Sequence, residues 1–513
     1  MKRETSEFGK RRAWLYDLMD KSPAGAIDAA RMLNADSIMA EVNILILKGC
    51  VFLDAGTVLK DAKVISEGIE IFRDLRKRYP ARFDVAYNLA NGLVAAADLI
   101  TYEDPSWFLR TRQTRLEARR LFGEAASNND VSKEIEARSL TNLGNALLRA
   151  YRFVETYDLY MKAIEADPTN GVALTGAAKI LLRFANLGIG DRGMLLAAAK
   201  HHLDTARLHK DKLKELAGPH AHEQLSPLLS SNISGGEMPK LDSADEYTKF
   251  VAKYRLALSP TLAGLDASVQ RWDTLNISSI TESLKESGVP PVFAMFNVLK
   301  SDYLVTRYLA FIASSGQYHE TGRYFDTLDY AVYGLGSSLL TLAQRACYDL
   351  LDKIAVATSH CFNLPGKPEE IKFGTRWSSR DPDGNLVWQP QIAQEIGAGN
   401  TAFVALSEIA YDLRSGGFLH EKKILRHSST HRFIVLHDMG NEPSRHCKSI
   451  HHCNESRFFG DLLETMRLAR AAMFYFLEAV SLRESRLTSN DAKHAHLFVY
   501  DHDWIRGRST NST

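Results

Sequence analysis

Between Leu140 and Pro168, small and large residues recur at the spacing of two helices folded back on each other. Leu140, Leu143, Gly144 and Leu147 share one helical face, and Thr156, Tyr160, Ala163 and Pro168 follow at the spacing of a second helix. Gly144 and Ala163 are small where the helices must approach closely, and Leu140, Leu143 and Tyr160 are large where the hairpin fills its core. Pro168 follows Asp167 where the second helix has to stop. Upstream, Gly68, Phe72 and Pro80 close one such hairpin, and Ala86, Leu89, Ala90 and Leu93 open the next. Ala118, Phe122 and Ala125 suit another second helix, and Leu174, Ala177, Ala178 and Leu181 open a further hairpin. The pattern predicts about four hairpins between Glu41 and Lys212, more than the roughly three that a stack needs.

This spacing resembles the tetratricopeptide repeat. The resemblance implies a surface for a peptide or protein partner, although nothing in the sequence names the ligand. The plainer reading is a helical scaffold whose small residues serve packing alone.

A chain of 513 residues is too long for one core, so two or three domains are expected. The net charge of +1 gives no global attraction for nucleic acid. The five cysteines are scattered and odd in number, which suits a reducing compartment better than a disulfide framework. The first residues are charged and unlike a signal peptide, and no run of about 18 apolar residues stands out. A cytoplasmic protein with no membrane contact and no cofactor is expected.

The expected fold is all-α, with a repeat domain over 1–217, a linker over 218–242, a second helical domain over 243–487 and a polar tail over 488–513 whose end, Gly507 to Thr513, is expected to be disordered. Gly218-Pro219 and the Ser- and Gly-rich run from Ser230 to Gly236 mark the linker. Helices are expected over 243–258, 292–314, 337–361, 400–414, 424–438 and 456–484, the last capped by Asn454 or Ser456. A hydrophilic insert is expected over 376–399.

Ten of the 17 histidines follow residue 419, which makes that region the first place to look for chemistry. Within Leu425 to Phe433, Arg426 and His431 are five residues apart, about 140° on a regular helix, and converge only if Arg426 sits at an irregular helix start. Ser428, Ser429 and Thr430 suit such a start, while His427 and His431 would share a face. Arg426 and His431 also suit a simple helix-start hydrogen bond without catalysis. His446, Cys447, His451, His452 and Cys453 are of zinc-ligand type, but the spacing is not that of a standard finger, and a surface loop is the favoured reading. Phosphate-cradling glycine loops, the Gly-x-Ser-x-Gly elbow and His-Glu-x-x-His are absent.

Arg-polar-x-x-x-His ahead of a helix, in a bundle of long helices, resembles the HEPN superfamily. Phe296 to Tyr303, Arg307-Tyr308, Leu328 to Tyr330 and Leu350 to Ile354 resemble a bacterial branch in which this domain follows tetratricopeptide repeats. The resemblance covers roughly 240–475. It implies a metal-independent endoribonuclease, toxin-like or defensive, acting as a homodimer on RNA, with tRNA a candidate substrate. The products would be 2′,3′-cyclic phosphate and 5′-hydroxyl ends. In these terms His431 would move protons, Arg426 would hold the scissile phosphate, and His427 would orient one or the other. His427 stands where the superfamily often has Asn, so which histidine transfers the proton is left open. Lys300, Asp302, Arg307, Asp352 and Lys353 are supporting candidates: Asp302 as a partner of Arg426 or of a cation on its own helix, Asp352-Lys353 as a structural ion pair or the edge of the site. A non-catalytic interaction protein with an inactive domain is the alternative, and nucleotide binding or transfer a weaker third.

Overall fold

The computed structural model describes residues 7–34, 38–100, 106–128, 131–234, 245–260, 273–281, 288–320, 322, 331, 333–414, 417–418, 433–438 and 447–487. Over these residues the fold is all-α apart from two short two-stranded sheets. Helices α1 (Glu7–Lys21) and α2 (Pro23–Arg31) lead into a stack of hairpins. There α3 (Ile38–Leu59) packs on α4 (Ala62–Arg78), and α5 (Phe83–Asp98) packs on α7 (Arg112–Ser127) across the single turn of α6 (Trp107–Arg110). The next pairs are α8 (Lys133–Leu148) with α9 (Phe153–Ala166) and α10 (Gly171–Asn186) with α11 (Arg192–Leu208). The side chains of Asp61, Ser132, Asn170 and Asp191 each accept a backbone N–H at the start of α4, α8, α10 and α11.

The expected packing of Gly144 is what the hairpin uses. The Tyr160 ring lies in a slot between α8 and α10, where a Cβ would stand 2.8 Å from the ring at Gly144 and 2.4 Å at Gly176. Contrary to expectation, one stretch, Glu41–Leu59, is long and apolar enough to cross a bilayer, with a hydropathy of 1.8. Half of it is buried inside the repeat stack, where Leu53 fills the space left by Gly68 and Gly92.

Helix α12 (Lys210–Ser230) continues past Gly218 and Pro219. Proline removes one backbone donor and crowds the carbonyl four residues back, but the Lys-, Glu-, Leu- and Ala-rich flanks carry the helix past it. The break comes instead after Ser230. Then α13 (Glu246–Tyr254) starts at Asp245, whose carboxylate accepts the Thr248 N–H at 2.6 Å.

Helices α14 (Pro291–Ser315) and α15 (Leu335–Cys361) pack along each other, and α15 packs on the long last helix. The segment expected to be a hydrophilic insert is folded. Strands β1 (Ser378–Arg380) and β2 (Leu386–Trp388) form an antiparallel hairpin that buries Trp377 and Trp388 at its base. Its Asp-Pro-Asp-Gly tip makes the turn, with Gly384 at φ +84° and the Asp381 carboxylate accepting the Asn385 N–H at 2.7 Å. Then come α16 (Pro390–Gly397) and α17 (Ala402–Asp412).

The helix expected over 424–438 is not found where the chain is described. Phe433–His437 is a strand, β3, paired in parallel with β4 (Ile450–Asn454). Phe-Ile-Val-Leu is rich in β-branched and aromatic residues, and burial of Val435, Leu436 and His437 outweighs any helical period. The His451-His452-Cys453 segment is likewise strand rather than surface loop. Finally α18 (Glu455–Leu487) begins as expected at Asn454, whose side chain accepts the Arg457 N–H at 3.1 Å.

The two halves share their interior. One apolar cluster runs from Trp107, Tyr160 and Phe184 of the repeats through Phe296, Ile354, Trp377 and Phe403 to Phe476 of α18.

Candidate functional site

Arg426, His427 and His431 lie outside the described residues, as do 328–330 of the resemblance and the 488–513 tail. The described chain holds both ends of the motif segment. On one side, Arg120 donates to the Gly417 carbonyl at 2.7 Å, and the Arg119 guanidinium lies 5.8 Å from the Phe418 ring centroid. On the other, β3 begins at Phe433, two residues after His431 in the sequence, and pairs with β4.

Two histidines meet across that strand pair. His437 Nε2 and His452 Nδ1 are 2.8 Å apart, so one ring donates to the other according to tautomer. His437 is 2% exposed, and the Asn454 amide donates to its carbonyl at 3.4 Å. Neighbouring Cys453 is no ready thiolate: burial, then the Asp461 charge, push its pKa up, outweighing Arg457. Among the described residues no group of three or more His, Cys, Asp or Glu could hold a metal ion.

The supporting candidates fall into separate places. Lys300 donates to the carbonyls of Asp273 at 2.6 Å and Leu275 at 3.3 Å. Buried Arg307 grips the Asp273 carboxylate with two bonds of 2.9 and 2.6 Å and also donates to the Leu256 carbonyl and the Tyr247 hydroxyl, each at 3.0 Å. These two cations thus tie Leu256, Asp273 and Leu275 onto α14. Asp302 pairs with Lys353 across α14 and α15 at 2.7 Å, rather than with a cation on its own helix. The expected Asp352-Lys353 pair is also replaced. Lys353 is exposed, and Asp352 accepts the Phe373 N–H at 2.8 Å.

What the sequence reading missed is the charged seam between the halves. Arg112, Arg115 and Arg119 share one face of α7 and meet Glu408 and Asp412, one turn apart on α17. Glu408 accepts from Arg112 at 2.8 Å and from Arg115 at 3.0 and 3.1 Å. Asp412 is held by both guanidinium nitrogens of Arg119, at 2.9 and 2.7 Å, and by Arg152 from the start of α9. All six side chains are at most 4% exposed. Burial opposes ionisation of Glu408, yet Arg115, Arg112 and Arg119 hold its carboxyl well below the usual range. Further along, Arg183 of α10 pairs with fully buried Glu478 of α18, and the Tyr475 hydroxyl accepts the Val154 N–H at 3.1 Å and donates to Glu155. One face each of α7, α9 and α10 therefore meets the chain's own C-terminal half.

Residues 283–483 match the LA2681-like HEPN family. This segment is a HEPN domain. It begins just before α14, takes in the motif and both histidine-bearing strands, and ends near the close of α18. HEPN domains are often ribonucleases, which gives this half a nuclease-like or RNA-related effector fold. The chain matches none of the curated proteins.

Proposed function

We propose that the protein is a metal-independent endoribonuclease, toxin-like or defensive, working in the cytoplasm under control of its repeat half. The observation that carries this reading is the HEPN match over 283–483, which encloses Arg426, His427 and His431. RNA brings its own nucleophile, the 2′-hydroxyl. His431 takes its proton or protonates the departing 5′-oxygen, since imidazole titrates near neutral pH. Arg426 holds the scissile phosphate and stabilises the charge it gains in the transition state. His427 orients the phosphate or the other histidine. Two copies pair through their HEPN domains, so that two motifs form one site, and tRNA is a candidate substrate. The seam of Arg112, Arg115, Arg119 and Arg152 against Glu408 and Asp412 supports regulation, because it joins the repeats to the helix before the motif.

A second reading, a binding protein with an inactive HEPN domain, is favoured by one observation: a strand, not a helix, follows the motif. Expression of Arg426→Ala and His431→Ala beside wild type separates the two. Loss of toxicity in both variants, with helical content unchanged by circular dichroism, is the expected result. Equal toxicity of all three sinks the catalytic assignment.

A further inference from the structure

A cavity of about 220 Å³ opens where the two halves meet, walled by α9, the end of α13 and α18. Six cations line it: Arg119, Arg152, Lys162, Lys253, Arg255 and Arg467. Three of its four carboxylates are already engaged, two of them by Arg119 and Arg152 of the same wall. Asp412 and Glu155 are bound by Arg119 and Arg152, and Asp158 lies 3.4 Å from Arg470. Glu464 is the other acid of the wall. Lys162, Lys253 and Arg467 have no carboxylate within ion-pair distance among the described residues.

Arg255 is the decisive residue. It is 7% exposed, and one guanidinium nitrogen, Nη1, is buried without a hydrogen-bond partner among the described residues. The other, Nη2, pairs with Glu165. Arg255 also ends α13 in the left-handed region, φ +56°, where a residue with a Cβ is held only at a cost. A buried charged donor left unsatisfied is expensive, and so is a cluster of like charges in a partly desolvated wall. Arg467 shows that expense: burial first, then Arg255 and Arg470, push its pKa down against the pull of Asp158. An anion in the cavity would relieve both. Guanidinium groups match the oxygens of phosphate, and Tyr254, Leu143, Leu147 and Phe418 offer an apolar bed beside them.

We propose that this cavity binds a small phosphate monoester, its phosphate held by Arg255, Arg467 and Lys162 and its organic body lying on the apolar wall. Because both halves build the walls, binding stabilises their docked arrangement. The site is independent of the ribonuclease reading.

The test is thermal unfolding of the full chain, titrated with inorganic phosphate and with phenyl phosphate at constant ionic strength, with sodium chloride as the control. The expected result is a saturable rise in Tm with both, at lower concentration for phenyl phosphate, and an affinity at least tenfold weaker in Lys162→Gln and Arg467→Gln. Arg467 also donates to the Tyr254 carbonyl, so Lys162→Gln, whose side chain is exposed, decides the matter if the arginine variant does not fold. A shift no larger than that of sodium chloride overturns the proposal. So does an unchanged affinity in Lys162→Gln.

Discussion

One added methyl group should separate two glycines that look alike in the sequence. Gly144→Ala pushes a Cβ against the Tyr160 ring, and overpacking of this kind costs about 1–3 kcal/mol. Gly123→Ala on α7 meets nothing within 4 Å and should stabilise by up to about 1 kcal/mol through helix propensity. Urea melts of the two variants give opposite shifts in midpoint. His202 offers a pH test. Burial, reinforced by His201, holds its pKa down at about 4. The folded state then binds fewer protons than the unfolded state, so stability present above pH 6.5 is lost as pH falls toward 4, by up to about 3 kcal/mol. A His202→Leu variant should lose this slope between pH 6.5 and 4.5, and an unchanged slope contradicts the assignment. Gly144, Tyr160 and Ala163 were legible because their spacing states which side chains must meet. Arg112, Arg115 and Arg119 were not, because a stripe of arginines on a helix ordinarily faces water. Only the partner helix, with Glu408 and Asp412, reveals that this one does not.

At the scale of elements, the hairpins and the long helices α14, α15 and α18 follow from apolar period and capping residues, and their bounds lie within a few residues of expectation. The strands β3 and β4 did not follow. A four-residue apolar run fits helix and strand alike, and the pairing that decides between them joins residues seventeen apart, such as Phe433 and Ile450. Pro219 misled for the opposite reason: its local preference was overridden by the helix on either side. The seam between α7 and α17 yields a contrast in magnitude. Glu408→Ala leaves buried Arg112 and Arg115 uncompensated and should cost about 3–5 kcal/mol in denaturant melts. Lys353→Ala removes an exposed pair with Asp302 and should cost less than about 1 kcal/mol. Equal losses would contradict the distinction between buried seam and solvated surface.

At the scale of the whole molecule, the repeats and the HEPN domain share one apolar cluster and one set of buried charges. They should unfold in a single calorimetric transition, and Asp412→Ala, which strands Arg119 and Arg152, should split it in two. The expectation of two cores joined by a linker missed this, because the contacts that fuse them connect residues about 300 positions apart, such as Arg112 and Glu408 at 296. Arg426 and His431, residue types suited to a phosphate and a proton, lie outside the described residues, and the HEPN match covers the segment that holds them. The most direct test of the central claim is incubation of the purified protein with total RNA and with tRNA in EDTA, beside His431→Ala, followed by analysis of the fragment ends. The account predicts fragments ending in 2′,3′-cyclic phosphate from wild type and none from the variant. No cleavage by wild type, or equal cleavage by both proteins, would contradict it.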